Sequence, residues 1–145
     1  MRIVIIIILI AGGMFAAACN NSADNAAMVK IMEDTARYTT IQWQDSVVRF
    51  DTLDQGAKAT VVFRFKNTGT RPLILADVRA GCGCTVADYT RGAIVPGGEG
   101  EVKGLFDSNR AHAGEVRKNI LVTSNTSNGT RHTLIFTGFV REKKA

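Results

Sequence analysis

Between Ala59 and Lys66 the chain alternates, with Val61, Phe63 and Phe65 on one side and Arg64 and Lys66 on the other. A period of two places successive side chains on opposite faces, so this pattern predicts a strand with one dry face and one wet face. Similar segments recur at Leu73 to Val78, Glu101 to Phe106, Arg117 to Ser124 and Thr130 to Val140. In the last of these, Leu134, Phe136 and Gly138 oppose Thr133, Ile135 and Thr137. Breakers separate the segments: Asn67 to Pro72 and Val95 to Gly100 carry turn chemistry, and Asn128-Gly129 is a tight-hairpin signal. Short strands in number about seven, with turn signals roughly every 8–12 residues, predict an all-β chain folded as an antiparallel β-sandwich.

Ahead of the strands the period changes. Met28, Ile31, Met32 and Thr35 share one face at helical spacing, which predicts a short helix over residues 26–37. Asn20 to Asn25 is small and polar, suited to a tether. Before it, Arg2 precedes an apolar run from Ile3 to Ile10, and Ala16, Ala17 and Ala18 lead into Cys19. A charged start, a short apolar segment and small residues before a cut constitute a secretory signal peptide. Phe15 to Cys19 resembles a bacterial lipobox, in which the cysteine is acylated and becomes the new N-terminus. The organisation expected is therefore signal peptide 1–18, lipidated tether with a helix 19–40, sandwich 41–140 and basic tail 141–145. The chain is expected to engage the membrane through lipid on Cys19 and to reside in a bacterial envelope, at the outer or inner membrane, facing the periplasm or the cell surface.

Charge and composition narrow the chemistry. The formal charge is +5, and loss of Arg2 with the leader leaves +4 on the mature chain. Arg110 to Lys118 and the tail from Arg141 to Lys144 are basic, and such runs are ordinarily solvated faces. No nucleic-acid-binding motif is present. Nor is there a Gly-x-Ser-x-Gly elbow, phosphate loop, His-Glu-x-x-His or calcium loop. Gly97, Gly98 and Gly100 follow a proline and read as a turn, and Glu99, Glu101 and Asp107 follow strand-end chemistry with nothing pairing them for acid–base work. No cofactor, small-molecule substrate or catalytic residue is expected. Asp34-Thr35-Ala36, Asp45-Ser46-Val47 and Asp51-Thr52-Leu53 resemble a short O-glycosylation acceptor pattern of envelope bacteria.

Several stretches together resemble the DUF1573 family of envelope proteins: Phe63 to Gly69, Arg71 to Leu75, Cys82-Gly83-Cys84-Thr85, Val95 to Gly100, Phe106-Asp107, Gly114, Lys118 to Asn125 and Leu134 to Val140. The resemblance spans roughly Ile41 to Val140. It implies a single immunoglobulin-like sandwich related to the motile-sperm and ASH domains, and it implies no activity. This chain has Gly81 where a serine is common in the family, and Asp51 where a glycine usually follows the aromatic residue.

Cys82 and Cys84 are the remaining candidates for chemistry. In an extended strand both would project to one face, with Cα atoms near the limit of about 7 Å for bridging; Gly83 offers a backbone freedom that could draw them together. A local disulfide, two packed thiols, a soft-metal clip for Cu(I) and a redox pair all remain open. Zinc would require four ligands, and His112 and His132 lie far downstream without ligand spacing. The function expected is a non-enzymatic, lipid-anchored binding or structural-interaction module with an unknown envelope partner. Its specificity is expected in the loops near Gly81 to Thr90 and Arg110 to Arg117. The alternative is thiol-redox or copper handling by Cys82 and Cys84.

Overall fold

The computed structural model describes residue 26 and residues 29–142. The leader, Cys19, the tether and Met28 lie outside the described residues. Among the described residues eight strands form two four-stranded sheets. They are β1 (Ile41–Trp43), β2 (Val47–Asp54), β3 (Lys58–Asn67), β4 (Leu75–Ala80), β5 (Thr85–Tyr89), β6 (Glu99–Asp107), β7 (Gly114–Ser124) and β8 (Arg131–Arg141). One sheet runs β1-β3-β6-β5 and the other β2-β8-β7-β4. This is the immunoglobulin-like sandwich, and the strand patterns read from the sequence lie on the expected strands.

One pairing departs from an all-antiparallel sandwich. β1 lies antiparallel to β3, whereas β2 lies parallel to β8. The cause is a change of sheet without a change of direction. The Gln44 N–H still donates to Arg64 in the first sheet (2.9 Å), and two residues later the Ser46 carbonyl accepts from Ile135 in the second (2.9 Å). The chain therefore crosses the sandwich edge across Gln44 to Ser46 and keeps going.

The buried positions are those of the alternation. Val61, Phe63 and Phe65 of β3 meet Ile120, Val122, Leu134 and Phe136 of the facing sheet, all nearly or fully removed from water. The rings of Phe106 and Phe136 pack edge to face across the layers with centroids 5.8 Å apart, and Phe50 stacks on Phe106 at 5.5 Å. Gly138 makes room for that stack, since a Cβ there would lie 2.3 Å from Phe50 Cε2. On the outer face of the first sheet charges pair by row: Lys66 sits opposite Glu99, Arg64 opposite Glu101 and Lys58 opposite Asp107. Glu101 also bonds Lys103 (2.6 Å), which raises the lysine pKa above its ordinary value. These exposed pairs keep the face wet and contribute little to stability.

Buried amides close one end of the sandwich. Asn67, fully buried, accepts from the Thr39 hydroxyl (2.8 Å) and the Gly69 N–H (3.1 Å) and donates to the carbonyls of Arg71 (2.8 Å) and Ile94 (2.9 Å). Asn125 accepts from Ile74 N–H (2.7 Å) and donates to the carbonyls of Arg37 (3.1 Å) and Pro72 (3.0 Å). Asn128 makes both its bonds to the backbone of Ile41. That commitment explains why Asn128-Gly129 does not form the tight turn expected. β7 ends at Ser124 and β8 begins at Arg131, so the connection is a longer loop that reaches across to the entering chain.

The expected helix ends earlier than Arg37. Ala26 and residues 29–33 are helical, Asp34 ends the run, and Thr35–Arg37 forms a separate 3-10 turn capped by the Asp34 carboxylate on Ala36 N–H (3.1 Å). Ile31 and Met32 are half-buried, and Tyr38 donates its hydroxyl to the Met32 carbonyl (2.9 Å). A side chain that captures the backbone two residues on competes with helix continuation.

Asn67→Ala strands several buried partners at once and is expected to lower stability by on the order of 3 kcal/mol. Thr68→Ala, next to it but exposed, should change stability by less than about 0.5 kcal/mol. Urea unfolding midpoints compare the two.

Candidate functional site

Cys82 and Cys84 sit where the chain leaves β4 in one sheet and enters β5 in the other. The structure joins them, with Cα atoms 5.3 Å apart. They lie in a turn before β5 rather than on an extended strand, which brings the Cα atoms closer than strand geometry would. Cys84 is buried in the core and Cys82 packs against it half-exposed. The Thr85 hydroxyl lies 3.5 Å from Cys82 Sγ and 3.9 Å from Cys84 Sγ. Asp107 N–H donates to the Cys84 carbonyl (2.9 Å), and Arg110 donates to the Gly83 carbonyl (2.9 Å). The corner is thus clamped to a second 3-10 turn, Ser108–Arg110, whose first residues are capped by Asp107.

Gly83 does not supply the special backbone expected of it. Gly83 has no left-handed backbone, and a Cβ on it would meet nothing within 4 Å. The constrained glycine is Gly81, where a Cβ would fall 2.2 Å from Asn119 Oδ1 on β7. Its N–H donates to the Asn119 carbonyl (2.9 Å), which draws the two backbones together. The missing side chain at 81 lets the corner lie flat on β7.

Neither histidine adds to the corner. His112 is exposed in the loop ahead of β7. His132 belongs to the amide-closed end, where Nε2 lies 3.1 Å from the Ser124 hydroxyl and 3.0 Å from that of Thr126. The Trp43 ring packs between Phe65 (5.1 Å) and His132 (5.8 Å) and leaves its Nε1 without a hydrogen-bond partner among the described residues. Burial holds the His132 pKa below its ordinary value, against an opposing hydrogen bond to the Gly129 backbone. Among the described residues no group of three or more His, Cys, Asp or Glu is gathered that could hold a metal ion. The thiol-redox or copper alternative therefore gains no support from the site. Of the loop expected to run from Arg110 to Arg117, the residues from Gly114 onward belong to β7.

The loop expected from Gly81 to Thr90 is likewise shorter, since Thr85–Tyr89 is β5, an edge strand that the sequence did not single out. Four strands end the two sheets. β1 is only three residues long, and the register of β2 and β4 to their neighbours is broken by shifts at Arg49/Thr52 and Leu75/Asp77. β5 alone is both longer than β1 and paired without interruption, from Thr85 opposite Phe106 to Tyr89 opposite Val102. Cys84 carbonyl and Thr90 N–H bond toward β6. An antiparallel ladder alternates every residue, so the N–H and C=O groups of Ala87 and Tyr89 point away from the sheet. Beside them Val86 is 67% exposed, opposite Leu105 at 41%. The sequence Thr85-Val86-Ala87-Asp88-Tyr89 does not alternate in polarity and gave no signal for this edge, whose openness depends on sheet order.

The chain folds as an immunoglobulin-like sandwich whose first two strands lie in different sheets. It belongs to the DUF1573 family, proteins of unknown function, whose model matches residues 41–140. No curated protein matches the sequence. Among solved structures, a protein of unknown function from Porphyromonas gingivalis W83 is similar, with a TM-score of 0.65 at 17% identity, covering 73% of this chain and 49% of that one. The chain thus spans about half the length of that relative. The ASH/PapD-like domain 7 of human CEP192 is similar at a TM-score of 0.58 and 14% identity, covering 74% of this chain and 89% of that domain. Vibrio cholerae VesB protease shares the fold at a TM-score of 0.57 and 14% identity over 69% of this chain and 32% of its own. At such identities the likeness shows the fold alone.

Two outcomes follow from this geometry. Gly81→Ala should destabilise by about 1–3 kcal/mol through overpacking on Asn119, whereas Gly83→Ala should change stability by less than about 0.5 kcal/mol; chemical denaturation of both tests it. For His132, a folded pKa below the unfolded value of 6.5 means that the unfolded chain takes up protons first. Its contribution is present above that value and is lost as pH falls below it. The melting temperature should drop less steeply below pH ~6.5 in His132→Gln than in the parent chain.

Proposed function

We propose that the chain is a non-enzymatic, lipid-anchored protein of the bacterial envelope that binds an extended segment of a partner protein along β5. The anchor is Cys19, acylated after the leader is cut; the lipobox-like Phe15 to Cys19 supports this reading. No helix of the described residues is long and apolar enough to cross a membrane. The observation that carries the binding role is the β5 edge, regular, uncovered and flanked by the exposed Val86 and Leu105. Sheets with such edges accept an added strand through main-chain hydrogen bonds, and alternate side chains supply specificity. The cystine corner lies at the start of the same strand and holds it against the second 3-10 turn, so the edge is preformed and less ordering entropy is lost on binding. The loops from Gly81 and from Arg110 border its start.

Proline at an outward-facing edge position removes a donor that the sheet itself does not use. Ala87→Pro should therefore keep the folding transition within about 1 kcal/mol of the parent. In cross-linked envelopes it should abolish recovery of the partner that the parent chain captures. Equal capture by both chains would refute strand addition at β5.

A further inference from the structure

Four Asp-Ser or Asp-Thr dipeptides occur in the chain, and the structure sorts them. Three are followed by an aliphatic residue: Asp34-Thr35-Ala36, Asp45-Ser46-Val47 and Asp51-Thr52-Leu53. In all three the hydroxyl residue is exposed. The fourth, Asp107-Ser108, is followed by Asn109. Ser108 is fully buried, accepting from Gly56 N–H (2.9 Å) and donating to the Ala57 carbonyl (2.6 Å). The one that breaks the pattern holds the fold together. The three that keep it are accessible, and their hydroxyls make no hydrogen bond among the described residues.

Their placement carries the argument further. Ser46 immediately precedes β2, an edge strand, Thr52 lies within it, and Thr35 stands on the 3-10 turn that leads to β1. β1 and β2 end their sheets on the side opposite β5 and β4. Bulky polar groups on Ser46 and Thr52 would shield the β2 edge from pairing, one of the ways proteins manage exposed edges. The β5 edge carries no such tripeptide and stays open.

We propose that Thr35, Ser46 and Thr52 are acceptors of O-linked glycans, added to the folded chain outside the cytoplasm. This rests on the export of the chain proposed above. At Ser46 the exposed Asp45 and Val47 give a transferase one charged and one apolar contact flanking the acceptor; at Thr35 and Thr52 the acceptor and the acid before it are exposed. In the transfer, the hydroxyl oxygen attacks the anomeric carbon of a lipid-diphosphate-linked sugar. The new C–O bond forms as the bond to the diphosphate breaks. The hydroxyl proton passes to a base of the transferase, and the lipid diphosphate departs.

The test is intact-mass and peptide mass spectrometry of the full chain purified from its native cells. Each peptide bearing Thr35, Ser46 or Thr52 should be heavier by the same glycan mass, and Thr35→Ala, Ser46→Ala and Thr52→Ala should each remove one increment. Asp45→Asn should remove the increment from an intact Ser46, and exposed Thr133, which no Asp precedes, should stay bare. Bare peptides at all three sites in a chain beginning at Cys19 would overturn the glycan proposal and leave the export reading standing. A chain recovered with its leader intact and its sites bare would overturn both. An increment that survives Asp45→Asn, or one that appears on Thr133, would overturn the role of the pattern.

Discussion

The contact between Phe106 of one sheet and Phe136 of the other, with Phe50 stacked on the first, is what makes two sheets into one body. Neither sheet can bury its apolar face alone, and an isolated pair of strands is marginal in water. Large aromatic side chains bury the most area per residue, and an edge-to-face arrangement adds to that burial. Phe136→Ala would remove a fully buried ring, a class of change that costs about 3–5 kcal/mol. The glycines follow from the same constraint: Gly138 is required where Phe50 lies on β8, because ring and Cβ cannot share that space.

Once the layers are joined, their ends and edges decide what the domain can do. The end that carries Asn67, Asn125 and Asn128 is closed by side-chain amides that satisfy backbone groups of three separate segments. Buried polar groups of this kind are costly when left unpaired, so the entering chain from Arg37 to Ile41 is held in a single path. The other specialised place is the Cys82–Cys84 corner. There a very short cystine shapes a sheet-to-sheet crossover, and it constrains the unfolded chain little because the loop it closes is so small. Its consequence is local: Thr85, the first residue of β5, starts from a fixed position.

Sandwiches of this class are reused for many roles, and the fold by itself names none of them. What distinguishes this one is an asymmetry between its two lateral sides. On the β1/β2 side the strands are short or broken in register, and two of the three acidic-hydroxyl-aliphatic tripeptides lie at β2. On the other side β5 presents an unbroken row of backbone donors and acceptors next to exposed Val86 and Leu105.

The strands and their dry faces were legible in the sequence because burial alternates with the pleat, and each residue of Val61-Val62-Phe63-Arg64-Phe65 reports its own side. The cysteine pair was legible as a site, but not its geometry, because the spacing alone does not say whether the segment is strand or turn. Three features depended on partners distant in the chain. Asn128-Gly129 is a tight-turn signal, yet Asn128 is drawn off by Ile41, which lies 87 residues away. Gly81 needed its Cβ removed because of Asn119. The crossing from β1 to β2 follows from which strands lie on either side. Local pattern determines which face of a strand turns from water; the order of strands, the parallel β2–β8 pair and the open edge at β5 are set only when segments remote in sequence compete for the same backbone hydrogen bonds.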